Sequence, residues 1–198
     1  KASGVFDTPV GAEAPGPLPP GHSYVFRFHA APGARLSFAT MYVQSNDLFY
    51  APADNGMALW DGGTPVSGNV TDQIELWDAG TEVNQEPGVG EDQAPRQSGP
   101  DTGPTESAPV AVVTGGFDYG AVEDMVRVNI SSEEIEAGAR FTVQVQNLGD
   151  STTPLAPGVY VVHDDGMPLF TNGSLDYGNG LEALAEDGDP SALAHMLG

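Results

Sequence analysis

The sequence predicts a single all-β domain, an antiparallel β-sandwich with long loops and one or two short helices. The chain has 198 residues, enough for one sizeable hydrophobic core. Its 26 glycines and 17 prolines interrupt the sequence so often that little room remains for long helices. Between these breaks lie short segments that alternate between apolar and polar residues. Several such strands separated by turns are typical of a sandwich.

The predicted strands have the period of two that places one set of side chains in a core. In the first strand, Tyr24, Phe26 and Phe28 share one face. In the second, Leu36, Phe38, Thr40 and Tyr42 share one face. The full set of predicted strands is Tyr24–His29, Arg35–Val43, Gln73–Trp77, Val110–Thr114, Met125–Ile130, Phe141–Gln146 and Val159–His163.

Two short helices and one long loop complete the predicted architecture. A helical segment from Leu181 to Glu186 stops at Gly188, and a second runs from Pro190 to Leu197, with the proline in its first turn. Residues 86–109 are rich in Pro, Gly, Gln and Asp and have no periodicity. They read as one long loop, and a loop of that length is usually functional or ordered by a ligand.

The charge of the chain limits its partners. Six Lys and Arg stand against 28 Asp and Glu, giving a formal net charge of −22, and Lys1 is the only lysine. Nucleic acid and anionic membranes are therefore poor partners, because binding to phosphates depends on basic residues. Strong salt would screen the self-repulsion of such a chain, so the composition indicates a halophilic source. No apolar run approaches the ~20 residues of a membrane span.

The chain has no cysteine, so disulfides give no information on its compartment. It carries three N-glycosylation sequons, at Asn69, Asn129 and Asn172. About three are expected by chance in a Thr- and Ser-rich chain, and in a secreted protein they become candidate glycan sites.

Acidic residues concentrate where two predicted strands end. The first strand end is the polar corner Ser45-Asn46-Asp47, and the second is the segment Trp77–Glu86, which contains Asp78, Glu82 and Glu86. Crowded carboxylates repel one another unless a cation lies between them, and Ca²⁺ prefers six to eight oxygen ligands. From spacing alone, a solvated acidic surface is a slightly better interpretation than a calcium site.

Several motifs resemble the spondin N-terminal domain of secreted matrix and microbial proteins. The most specific is Trp77-Asp78-Ala79-Gly80-Thr81-Glu82, supported by Thr40-Met41, Ser45-Asn46-Asp47 and Asn84 with Glu86-Pro87. The last third also resembles that family, in Leu155–Val159, His163, Leu169-Phe170, Gly173 and Leu184–Asp189. The resemblance covers most of the chain.

The resemblance implies a sandwich similar to C2 domains, with one calcium ion at a loop end. The family's ligand positions correspond to Asp47, Asp78 and Glu82, where Glu82 stands at a position that is Asp in some members. With this resemblance, calcium is favoured over surface acid. The function it implies is cell-surface adhesion, matrix attachment or assembly by a secreted protein whose partner is a matrix or cell-surface component.

The two parts of the resemblance occur in reversed order. Residues 1–130 resemble the later part of the family domain, and residues 140–198 resemble its opening part. The chain is then a circular permutant that closes on itself, a piece of a longer protein, or a subunit whose residues 140–198 complete a neighbour and build a filament. The segment Ser131–Gly138 would be the hinge of such an exchange. The closed permutant is the preferred interpretation.

The sequence does not predict an enzyme. It contains no Ser-His-Asp motif, zinc pattern or phosphate loop, so no catalytic residue is assigned. A secreted carbohydrate-active protein that works through a pair of acids is the distant alternative. A pocket containing a buried glutamate would support that alternative.

Overall fold

The computed structural model describes residues 2–198, which form an antiparallel sandwich, as the sequence predicted. Its strands and helices follow one another along the chain. They are β1 (Ala2–Phe6), β2 (Ser23–Ala30), β3 (Arg35–Met41), β4 (Leu48–Pro52), β5 (Met57–Ala58), β6 (Trp60–Asp61), β7 (Thr64–Pro65), β8 (Gly68–Asn69), a 3-10 helix (Thr71–Gln73), β9 (Ile74–Asp78), β10 (Ala111–Val112), α1 (Val122–Met125), β11 (Val126–Ile135), β12 (Gly138–Asn147), β13 (Gly158–His163), α2 (Leu181–Asp187) and α3 (Ser191–Leu197).

Two sheets form the sandwich. The larger has the strand order β1-β13-β3-β4-β9-β10, with β5 paired to β3, and the smaller has the order β2-β12-β11-β8. All of their strand pairs are antiparallel. The main core lies between the sheets, and Tyr24, Phe26 and Phe28 are buried there, as the alternation predicted.

A second apolar cluster covers the outer face of the larger sheet. Leu181 and Leu184 of α2 and Leu193 of α3 pack with residues such as Ala39 and Trp77 of the sheet. Strand β3 is therefore buried on both faces: Leu36 and Phe38 lie in the core between the sheets, and Ala39 lies under the helices. The two helices occur where the sequence predicted them.

Residues 140–198 pack within their own chain. Strand β12 pairs with β2 and β11, and β13 lies between β1 and β3, with Val162 opposite both Ala2 and Leu36. This is the arrangement of a closed domain. The reversed order of motifs therefore requires no second chain to complete the sheets.

The proposed hinge at Ser131–Gly138 was wrong. Strand β11 continues to Ile135 and pairs with β12 without interruption, from Val126 opposite Asn147 to Ile135 opposite Gly138. The polar, Gly-containing composition belongs to the exposed end of a tight hairpin, where Gly138 has a φ of 148°.

Strands β1 and β4 were also missed, since neither has a clear alternation; all five residues of β4 are buried.

The three sequon asparagines lie at or near the surface. Asn69 and Asn172 are exposed, whereas Asn129 is half-buried within β11. Among residues 2–198, no helix is long and apolar enough to cross a membrane.

The closed arrangement predicts a monomer in solution. Light scattering in strong salt with calcium should give a molar mass near 20.5 kDa, because both sheets are completed by strands of the same chain. A heterogeneous or fibrous species of much larger mass would contradict this prediction and restore the strand-exchange filament.

Candidate functional site

The pairing of β4 with β9 brings the predicted acidic residues to one end of the sandwich. Leu48, the first residue of β4, lies opposite Asp78, the last residue of β9. The corner before β4 and the loop after β9 therefore meet, and the backbone N–H of Ala79 donates to the carbonyl oxygen of Asp47 (3.1 Å). The long loop, defined here as residues 79–110, begins at this point.

Asp47 is completely buried, and only one of its two carboxylate oxygens accepts hydrogen bonds. Its Oδ2 accepts hydrogen bonds from the backbone N–H groups of Thr81 (2.7 Å) and Glu82 (3.1 Å). Its Oδ1 is buried and has no hydrogen-bond partner. Burial and the nearby charge of Asp78 raise the pKa of Asp47 to about 7, although the donors from Thr81 and Glu82 oppose the rise.

Asp78 holds the turn after β9. Its Oδ1 accepts from the N–H of Gly80 (2.7 Å), and its Oδ2 accepts from Nδ2 of Asn84 (2.5 Å). Gly80 has a φ of 71°, and a Cβ there would lie 2.3 Å from the carbonyl oxygen of Ala108. The glycine of the Asp-Ala-Gly-Thr-Glu run is therefore required by the turn and by the returning loop. We call Asp47 and Asp78 the acidic corner.

Glu82 points to a different group of acids. Its Oε1 accepts from the N–H of Gly103 (2.7 Å), and its Oε2 accepts from Nδ2 of Asn46 (3.2 Å). Carboxylate oxygens of Glu82, Asp101 and Glu186 all lie within 4.8 Å of one another. We call these three residues the loop–helix cluster. The structure thus places the three predicted ligands at one end of the molecule but divides their side chains between two neighbouring groups.

Glu186 was missed by the sequence analysis. It lies on α2, is 4% exposed, and its Oε1 has no hydrogen-bond partner. Burial raises its pKa to about 8; the Thr81 hydroxyl opposes that rise, and the charges of Glu82, Glu182 and Asp47 add to it. The run Leu181–Glu186 was treated as a short helix, and nothing in its spacing shows which acid turns inward.

Two amide side chains hold the long loop against the corner. Gln93 is fully buried, and its Nε2 donates to Oδ1 of Asn46 (3.1 Å) and to the carbonyl oxygens of Gln85 (3.1 Å) and Glu86 (3.2 Å). Asn46 also accepts from the N–H of Gln85 (3.0 Å). The loop therefore has a fixed path close to the acids, although it contains no helix and only an isolated bridge between Glu82 and Thr105.

Among the described residues, no Arg or Lys side chain forms an ion pair with these groups. Among residues 2–198, the ion pair present is Arg140–Glu133, at the exposed hairpin of β11 and β12. That hairpin lies at the opposite end of the sandwich, because β12 begins beside Ala30, close to where β3 starts, whereas the acidic corner follows the end of β3. Burial without a cationic partner raises the pKa of Asp47 and of Glu186, so a proton or a cation from solution would stabilise both carboxyl groups.

Comparisons with protein-family models, with curated proteins and with solved structures found no match for this chain. The resemblance to the spondin domain therefore remains a prediction made from motifs.

The raised pKa values of Asp47 and Glu186 predict a pH-dependent stability in metal-free buffer. The folded protein retains these protons to about pH 7 and 8, whereas the unfolded chain loses them near the ordinary values of 3.8 and 4.5. Between pH 5 and 8 the folded state binds more protons, so the free energy of unfolding should fall as the pH rises. Urea denaturation at constant ionic strength measures this slope.

The variant Glu186→Gln should flatten that slope, since it removes one of the groups whose pKa is raised in the folded state. Glu134→Gln, an exposed acid on the distant hairpin, is the matched control and should leave the slope unchanged. A slope of opposite sign, or one unaffected by Glu186→Gln, would contradict this assignment.

Proposed function

We propose that this protein is an extracellular, spondin-like calcium-binding module that acts in cell-surface adhesion, matrix attachment or assembly. The main support for calcium is the environment of the Asp47 carboxylate. It is completely buried, its Oδ1 has no hydrogen-bond donor, and the charge that helps to raise its pKa is another carboxylate, Asp78. A buried oxygen facing like charge is stable when a cation supplies the missing interaction.

The donor set matches the chemistry of calcium. Carboxylate oxygens are available from Asp47 and Asp78, and Asn84 Oδ1 is a further buried oxygen without a partner. Glu82, the third predicted ligand, lies beside them, but its carboxylate belongs to the loop–helix cluster. Ca²⁺ accepts such irregular sets of carboxylate, amide and water oxygens, whereas Mg²⁺ demands a near-ideal octahedron. Zinc prefers nitrogen and sulfur ligands, and the chain has no cysteine.

The remainder of the proposal rests on composition and on the motif resemblance. A net charge of −22 suits a protein that works in strong salt, which screens the self-repulsion of the chain. The loops ordered by the acidic corner form one end of a rigid sandwich, which is where such modules present binding surfaces. Glycans at the exposed Asn69 and Asn172, and at the half-buried Asn129, are part of the same proposal.

A second candidate is a secreted carbohydrate-active protein, and one observation favours it. A cavity of about 490 Å³ is lined by Glu186, Glu182, Asp101, Asp187 and His195. The pKa of Glu186, raised to about 8, suits a general acid. The cavity has no Trp, Tyr or Phe in its lining on which a sugar ring would stack, and Trp77 is buried in the core. Release of nitrophenol from aryl glycosides, abolished in Glu186→Gln, would favour this candidate over the binding module.

Removal of calcium should lower the melting temperature. A ligand that binds only the folded state at about 100 times its Kd stabilises by about 2.7 kcal/mol, which corresponds to roughly 5–10 °C for a chain of this size. Differential scanning calorimetry in EGTA and in excess calcium, at matched ionic strength, measures this difference.

The variant Asp78→Asn should reduce the calcium-dependent shift, while Glu134→Gln should retain it. Both variants remove one negative charge, so the comparison separates ligand loss from a general change of charge. Identical melting curves with and without calcium in the unmodified protein would refute the proposed structural ion.

A further inference from the structure

The loop–helix cluster collects acids from three separate parts of the chain. Glu82 follows β9, Asp101 lies in the distal half of the long loop, and Glu186 lies on α2. Oxygen atoms of all three lie within 4.8 Å of one another. Three carboxylates at this separation repel strongly in a partly buried site, and no Arg or Lys among the described residues pairs with any of them.

The inward side of this cluster is a buried carboxylate, Glu186, with one oxygen that has no hydrogen-bond partner. Glu186 is 4% exposed, and its Oε1 accepts no hydrogen bond from the protein. This burial distinguishes Glu186 from a solvated surface acid, whose carboxylate is exposed to water. The fold holds this carboxylate in place through the apolar side of α2, where Leu184 and Ala185 are completely buried.

The other two ligand groups differ in how they are held. Glu82 is fixed by the N–H of Gly103 and by the amide of Asn46, and a Cβ at Gly103 would lie 2.2 Å from Glu82 Oε2. Asp101 is exposed and has a φ of 53°, a conformation that non-glycine residues rarely adopt. The cluster therefore has a rigid inner side and a solvent-facing side through which an ion enters with part of its water shell.

We propose that Glu82, Asp101 and Glu186 form a second divalent-cation site, distinct from the acidic corner, that fastens the long loop to α2. The site takes a hard, oxygen-preferring ion of the calcium class, since its ligands are carboxylates and water. This inference deepens the proposed function and rests on it only for the class of ion. A direct contact already joins the same two segments, because Nε2 of Gln97 donates to Oδ1 of Asp187 (2.9 Å).

The first test counts calcium ions by isothermal titration calorimetry of the full, metal-stripped chain with CaCl₂ in about 1 M NaCl, where nonspecific attraction is screened. The unmodified protein should bind about two ions. Glu186→Gln should lose one ion and keep the other, and so should Asp101→Asn. Because Asp101 is exposed, the second variant keeps the test valid if Glu186→Gln does not fold. Glu134→Gln should bind as the unmodified protein does.

Asp78→Asn separates this site from the acidic corner, since it should remove only the other ion. If Glu186→Gln and Asp101→Asn bind calcium as the unmodified protein does while Asp78→Asn loses its ion, the second site is overturned and the proposed function stands. One ion in the unmodified protein, lost in all three variants, would also overturn a separate second site. Absence of any calcium binding would overturn both proposals.

A proteolysis readout tests the fastening of the loop. Arg96 is the only basic residue of the long loop, so trypsin cleavage there divides the chain into residues 1–96 and 97–198. Calcium should slow this cleavage at least about tenfold in the unmodified protein and in Asp78→Asn, because local opening is required for cleavage. It should give little protection in Asp101→Asn. Equal protection in Asp101→Asn and in the unmodified protein would overturn the fastening role.

Discussion

The pairing of β4 with β9 is the constraint on which the candidate site depends. It places Leu48 opposite Asp78, and this register brings the corner Ser45-Asn46-Asp47 beside the turn that begins the long loop. The same contact aligns the N–H groups of Thr81 and Glu82 with Asp47 Oδ2. A shift of one residue would turn Asp78 to the other face of the sheet and separate the two acids of the corner. The completely buried β4, with both faces covered, fixes that register.

Electrostatics then decides what this end of the molecule binds. The chain has six basic residues for 28 acidic ones, and the acids at the loop end have no cationic partner among the residues described. Backbone N–H groups satisfy one oxygen each of Asp47, Asp78 and Glu82. These donors hold the carboxylates in fixed orientations without neutralising them. Burial raises the pKa of Asp47 and of Glu186, so protons bind both groups more tightly than usual, and the proposed metal ions would compete with these protons.

The sequence predicted the parts of this structure that follow from local pattern. The alternation of Tyr24, Phe26 and Phe28 identified a strand and its buried face, and Gly188 marked the end of α2. The Asp-Ala-Gly-Thr-Glu run located the acidic turn, because its glycine and acids have local roles. Asp101 and Glu186 were missed because their proximity to Glu82 depends on topology. They follow Glu82 by 19 and by 104 positions in the sequence, and the fold brings all three together. The hinge at Ser131–Gly138 failed for the opposite reason, since a polar hairpin end and a linker have the same composition.

The loop–helix cluster lies where the two motif regions, which occur in reversed order along the chain, come into contact. Glu82 and Asp101 belong to the region that resembles the later part of the spondin domain, whereas Glu186 belongs to the region that resembles its opening part. Within the sheets these regions are joined by backbone hydrogen bonds, as where β13 lies between β1 and β3. At the loop end they meet through side chains, and the charges that meet there are all negative. A cation bound between Glu82 and Glu186, as proposed, would relieve the repulsion where the two regions meet.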